Sequence, residues 1–121
     1  MINPIFMLPP IEFIGGTHKK IQIMLRSNVG TPYDAEGHTA YFSLAHYENQ
    51  SCVSITQEME IAQSGMDGYC LAEVELSSTD TAELCGRFVY QVTIIDEDGE
   101  AEVSQGICHI FRNITPSVLM A

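Results

Sequence analysis

Apolar and polar residues alternate along most of this chain with the two-residue period of half-buried strands. Over residues 19–26, Ile21, Ile23 and Leu25 share one face, while Lys20, Gln22 and Arg26 take the other. Residues 38–47 predict a second strand, with Phe42 and Leu44 inward and Thr39, Tyr41 and Ser43 outward. Val53, Ile55, Met59 and Ile61 then alternate with Ser54, Thr56, Glu58 and Glu60, and Gln57 is the one polar interruption. From Tyr69 to Leu76 the inward set is Cys70, Ala72, Val74 and Leu76, leaving Glu73 and Glu75 to water.

The strongest local signal is a hairpin. A β-branched and aromatic run over 87–95 leads into Asp96-Glu97-Asp98-Gly99, and a second extended run continues to Phe111; an Asp-Gly step between such runs is a hairpin turn. Phe88, Tyr90, Val92 and Ile94 share one face, and Gln91 and Thr93 mark the other. Val89 and Ile95 also fall on that second face, which predicts a central strand or an interface. Between the strands, Gly30, Pro32 and Gly37 make 27–37 a loop, and 64–68 reads as a turn. Residues 77–84 hold the one helical candidate, with Thr79 or Asp80 as its cap and Glu83 three residues beyond Asp80.

Together these elements predict an all-β fold. The expectation is an antiparallel immunoglobulin-like β-sandwich of about seven strands, with one short helical turn near residues 78–84. A small barrel is the alternative. The chain has no tryptophan, so the Cys…Trp…Cys pin of antibody domains is missing. The organisation expected is an N-terminal arm over 1–10, the sandwich over 11–114 and a C-terminal tail over 115–121.

Composition narrows the partners. At 121 residues the chain is one domain, and 45% apolar content supports a packed core. Sixteen acids against five Lys and Arg give a net charge of −11, concentrated after Gln57. Such a surface repels phosphate backbones and anionic lipid, so neither nucleic acid nor a membrane surface is expected as partner. No run is long and apolar enough for a membrane span. The prolines and missing basic residues of 1–10 are not those of a signal peptide, which implies synthesis inside the cell. None of Cys52, Cys70, Cys85 and Cys108 forms a C-x-x-C pair. Buried reduced thiols are the expectation, with a disulfide across two sheets as the competing reading.

Searching the residues for chemistry yields no catalytic, cofactor or metal site. Glu73 with Glu75, and Glu58 with Glu60, are explained as the solvated positions of strands. The run Asp96–Glu100 lacks the spacing of a calcium loop and has a turn to make. His18, His38, His46 and His109 show no helical zinc spacing, and Cys108 and His109 point to opposite sheet faces. An enzyme is not expected.

One resemblance carries the functional expectation. The run Asp80-Thr-Ala-Glu-Leu-Cys-Gly-Arg-Phe-Val-Tyr-Gln-Val-Thr-Ile, an acidic turn, and Gln105-Gly-Ile-Cys-His-Ile110 together resemble small tail and baseplate proteins of phages and prophages of Gram-positive bacteria. The pattern is similar to the N-terminal immunoglobulin-like domain of the phage baseplate upper protein, and the order Ile21–Leu25, Tyr33-Asp34 and Thr39–Leu44 agrees with it. This resemblance implies a non-catalytic structural module of the virion, assembled in the bacterial host cytoplasm. Its implied partners are other tail or baseplate proteins and further copies of itself, as a homo-oligomer. The chain ends soon after the sandwich, which implies a stand-alone assembly module rather than a host-recognition protein. Val89, Ile95, Ile107, Val118 and Leu119 are the candidate interface residues. The alternative is an immunoglobulin-like binding module for carbohydrate or a bacterial surface ligand, with Tyr41, Tyr47 and Tyr69 as stacking faces.

Overall fold

The fold, a computed structural model, describes residues 8–26, 37–63 and 69–114, with backbone alone for 25–26, 62–63 and 69–70. The predicted loop over 27–36, the turn at 64–68 and the tail carrying Val118 and Leu119 lie outside the described residues.

Seven strands follow the alternation: β1 (Ile11–Ile14), β2 (Lys19–Arg26), β3 (Thr39–His46), β4 (Val53–Gln63), β5 (Tyr69–Leu76), β6 (Gly86–Ile95) and β7 (Ala101–Phe111). One helical turn, α1 (Ser78–Thr81), separates β5 from β6. Hydrogen bonding runs in the order β1-β7-β6-β3-β4-β5-β2. Consecutive strands β1 and β2 thus end the order at opposite edges, and the sheet wraps into a nearly closed, barrel-like sandwich.

Strand β4 makes the wrap possible. Its first half, through Met59, pairs with β3, and Glu60–Gln63 pair with β5. One strand is therefore shared between a larger layer, β1-β7-β6-β3-β4, and a smaller one, β4-β5-β2. All pairings are antiparallel except that of β1 with β7, which is parallel, Ile11 opposite Cys108 through Ile14 opposite Phe111. The sheet is mixed, where a fully antiparallel one was expected. Pro9 and Pro10 precede β1 and carry no N–H, so only Leu8 extends this contact, donating to the Gln105 carbonyl at 2.8 Å.

The core lies where the inward residues of both layers meet. Phe42, Leu44, Leu76, Phe88, Tyr90, Cys108 and Ile110 are fully buried, each large apolar side chain stabilising by roughly 1.5–3 kcal/mol. Phe42 and Tyr90 stack with centroids 5.9 Å apart. Tyr90 stands opposite Gly106 on β7, and its hydroxyl donates to the Pro9 carbonyl. A Cβ at Gly106 would lie 2.6–2.8 Å from the Tyr90 ring and hydroxyl. The glycine is the space that the ring occupies.

Several details depart from the sequence reading. Val53 points outward and is 55% exposed, because the register slips between Leu44 and Ala45 and leaves Ser54 as an extra, bulged residue. Gln57 takes a half-buried inward position and donates to the Glu75 carbonyl at 3.1 Å. Helix α1 is capped by Ser77, not by Thr79 or Asp80. Asp80 is the third residue on, and its carboxylate returns to the Ser77 N–H at 2.9 Å. Thr81, at the end of α1, is buried; its hydroxyl accepts from Gly16 N–H at 2.9 Å and donates to the Thr17 carbonyl. That pair of bonds ties the β1–β2 turn to the helix.

The thiols also divide. All three described thiols are free; Cys108 is buried, whereas Cys52 and Cys85 are exposed, since each lies just ahead of its strand rather than within it. Cys70 has no described side chain.

Candidate functional site

Backbone alternation assigns each outward residue to a layer. On the larger layer the outward positions of β3 are Thr39, Tyr41, Ser43 and Ala45; of β6, Val89, Gln91, Thr93 and Ile95; of β7, Ala101, Val103, Gln105 and Ile107. None carries a charge, in a chain with 16 acids. The register aligns them in rows across the strands. Ile107, Val89, Ala45 and Val53 make an apolar row. Gln105, Gln91, Ser43 and Thr56 make a polar one beside it. Gln105 donates to the Gln91 amide oxygen at 2.9 Å, and Gln91 donates to Thr93 at 3.1 Å. These amides satisfy one another laterally, so the row stays neutral and flat. The face is lightly dished, with a hollow of about 230 Å³ bordered by Ala45, Val53, Val89, Gln91 and Gln105.

Along β7, β6 and β3 charge appears only towards the ends of this face. At one end lie Glu12, His109 and Arg87 in a row, with the Arg87 guanidinium 5.0 Å from the Tyr47 ring centre. His109 stacks on Phe111 at 4.4 Å. At the other end is the β6–β7 turn, while Glu58 on β4 projects in the row of Val103, Thr93 and Tyr41, next to the amide row. That turn is built by its own acid: Asp96 accepts from the N–H groups of Asp98 and Glu100, each at 2.9 Å, and Gly99 takes φ +85°. Its first carboxylate thus closes a hairpin by hydrogen bonding to the backbone.

The smaller layer is the opposite in character. Its outward residues include Lys20, Glu60, Glu73 and Glu75. Lys20 pairs with Glu73 at 3.4 Å, and His18 with Glu75 at 3.5 Å. Glu73 also accepts from Gln22 at 2.8 Å; that bond, aided by Lys20, holds its carboxyl below the usual range. Exposed large hydrophobic residues follow the same division. Ile14, Tyr47, Val53, Val103 and Phe111 project from the larger layer, whereas Met24 alone does so from the described part of the smaller one.

The predicted interface residues fall on this geometry as follows. Val89 and Ile107 are direct cross-strand partners, and Ile95 lies on the same face, further along β6. Val89 is only 9% exposed, because its neighbours in the row cover it. Sequence reasoning missed Val103, Val53, Phe111 and Ile14. Val103 and Phe111 share the odd-numbered parity of Ile107, a signal already present in the alternation of β7. Val53 was hidden by the bulge, and Ile14 by the brevity of β1.

Of the tyrosines proposed as stacking faces, Tyr41 is half-buried in the sheet and Tyr47 has Arg87 over its ring. The Tyr69 side chain is not described. Two further hollows border the sandwich. One, about 440 Å³, follows the seam between β1 and β2 past Pro9, Ile11, Ile21 and Tyr90. The other, about 420 Å³, lies by His38 and Met59. Among the described residues no three His, Cys, Asp or Glu side chains stand close enough to hold a metal ion, and no helix is long and apolar enough to cross a membrane. Burial pushes the Tyr90 hydroxyl and the Cys108 thiol each up to about 12, which keeps both neutral.

No family model matches the sequence, and no curated protein matches it. Among solved structures, the chain is similar to AggA, the major subunit of aggregative adherence fimbriae type I from Escherichia coli. The likeness covers 84% of this chain and 89% of that one, at 10% identity and a TM-score of 0.44. At that level it transfers neither function nor partner.

Proposed function

We propose that this chain is a non-catalytic structural module of a phage or prophage tail, positioned in the baseplate and acting through protein–protein contacts. The observation that carries the reading is the uncharged outer face of β7, β6 and β3 in a chain of net charge −11. Removing a charge from water is costly unless it is paired, so a surface meant to be covered sheds its charges. A surface meant only for solubility does not. Here the acids gather on the smaller layer, on the flanking strands at Glu12 and Glu58, and at the strand ends, leaving apolar and neutral side chains across the middle of β7, β6 and β3.

The tail assignment rests on the resemblance of the Asp80–Ile95 and Gln105–Ile110 segments to baseplate proteins. Both segments build the β6–β7 hairpin that lies at the centre of the uncharged face. The finer fold reading is an immunoglobulin-like sandwich. A strand shared between two packed layers, with β6 and β7 between β1 and β3, supports it. Assembly in the bacterial host cytoplasm and incorporation into the virion complete the reading, with other tail proteins as partners.

Co-expression with the tail proteins encoded beside it tests the proposal. The expected result is a complex that co-elutes through size exclusion and is lost on Val103→Lys or Gln91→Lys, with the fold kept by circular dichroism. Absence of any such complex, together with tails that assemble normally without the chain, would refute it. Glycan binding abolished by Tyr41→Ala would instead favour the carbohydrate-binding reading.

A further inference from the structure

The ladder between β1 and β7 reaches further back than Ile11. In a parallel pair, a carbonyl facing the neighbouring strand accepts from the residue after its own partner. Phe111, opposite Ile14, accepts in this way from Gly15 at 2.9 Å. Gln105 accepts from Leu8 at 2.8 Å, so by the same rule it stands opposite residue 7. Ile11 is opposite Cys108. Residues 7–11 therefore span one residue more than the stretch 105–108 that faces them. The pair Pro9-Pro10 holds this bulge. The slip turns Leu8 to the inner side, beside Gly106, and Leu8 does pack against the core.

Beyond Leu8 the same edge of β7 is open. Strand β6 pairs with one side of β7 from Ala101 onward. Among the described residues no strand lies against the other side over 101–104. Alternation along β7 turns the N–H and C=O groups of its odd-numbered residues towards β1, so those of Val103 face this open edge. We propose that its occupant is the chain's own segment Pro4–Met7, which continues β1 as a parallel strand beyond the proline bulge.

The register then fixes each contact. Met7 stands opposite Gln105, Phe6 opposite Ser104, Ile5 opposite Val103 and Pro4 opposite Glu102. The Phe6 N–H donates to the Val103 carbonyl, while the Phe6 and Pro4 carbonyls accept from Gln105 and Val103. The side chains suit the faces they reach. Ile5 lies beside the exposed Val103 on the outer side, and Phe6 falls on the inner side, in the row of Ser104 and the buried Val92. Pro4 marks the end, because it has no N–H for the Ala101 carbonyl. A bare sheet edge is a template for an extended segment of another chain. The continued strand takes up these backbone groups and leaves partners to approach by the outer face. This placement stands on the ladder geometry and does not depend on the assembly reading.

Amide hydrogen exchange of the full chain, followed residue by residue by NMR, is the test. Corrected for intrinsic rates, the Val103 and Gln105 amides should exchange more than about tenfold slower than that of Ala101, which this strand leaves unpaired. Phe6→Pro puts a ring where the donor to Val103 stood and should bring Val103 to the Ala101 rate. Ile5→Pro should keep the protection, because the N–H of residue 5 faces away from β7 in this register. Nuclear Overhauser contacts should join Ile5 to Val103; Phe6 would take that place if the chain ran through the prolines without a bulge. Circular dichroism confirms that both variants are folded. Fast exchange at Val103 in the wild type, equal protection in Phe6→Pro and wild type, or backbone contacts from Phe6 in place of Ile5 overturns the inference. Protection that grows with protein concentration gives the edge to a second copy and overturns it as well.

Discussion

Replacing Gly106 by alanine adds one methyl group at the most crowded point of the core. That carbon would lie 2.6 Å from Tyr90 Cε1, 2.7 Å from Cζ and 2.8 Å from the hydroxyl oxygen, far inside carbon–carbon contact distance. The ring is fully buried and stacked on Phe42. It must tilt, which strains its packing and pulls its hydroxyl from the Pro9 carbonyl. Overpacking of this kind costs about 1–3 kcal/mol, and the lost hydrogen bond about 1 kcal/mol more. Against this, alanine restricts the unfolded chain and returns about 0.4–1 kcal/mol. The net loss is roughly 1–3 kcal/mol, a large share of the ~5–15 kcal/mol that holds a domain. It corresponds to a fall of about 4–12 °C in Tm for a chain of this length. Urea unfolding followed by far-UV circular dichroism measures it. Tyr90→Leu removes the three atoms that the new carbon strikes, so Gly106→Ala should cost much less in that background. The coupling between the two sites should be about 1–3 kcal/mol. Equal costs in both backgrounds, or a cost below ~0.5 kcal/mol in the wild type, would show that the ring and glycine do not share this space.

Thr81→Val keeps the side-chain shape but orphans the Gly16 N–H and should cost about 1–3 kcal/mol in urea unfolding, because that donor is left without a partner. Ser77→Ala removes the cap of α1 and should cost about 1 kcal/mol, read from the thermal midpoint. Cys52 and Cys85 should alkylate at pH 8 in the native protein while Cys108 does so only after unfolding, as mass spectrometry of labelled peptides will show. Burial raises Cys108 from 9.0 and Tyr90 from 10.0 to about 12 each. Above pH 9 the unfolded chain therefore releases protons that the folded one keeps. Stability from these groups is whole below pH 9 and is lost progressively up to about pH 12. Tyr90→Phe should flatten that decline in denaturation midpoints taken across the alkaline range.

Strand alternation made β2, β3, β5, β6 and β7 legible, because period-two burial is a property that each strand carries alone. What the sequence concealed depends on pairing. Ser54 bulges only against the register of β3, so Val53 read as inward when it faces water. Strand β1 has four residues after a proline pair, and its partners lie at the far end of the chain. Asp80 is not the cap of α1 but the carboxylate that answers one, three residues after Ser77. The uncharged face is the clearest case. Val89, Ile95 and Ile107 drew notice as apolar residues on the polar side of their strands. That their outward neighbours Thr39, Tyr41, Ser43, Ala45, Ala101, Val103 and Gln105 are equally free of charge means something only once the strand order sets them side by side.

The strand common to both layers has a mechanical consequence. Two stacked sheets joined only by side-chain contact can peel apart or slide by degrees, as laminates do. Here β4 is stitched through both, its first half hydrogen-bonded into one ply and its last residues into the other. Delamination must tear that thread, so a pull on either ply is met by the backbone of both at once.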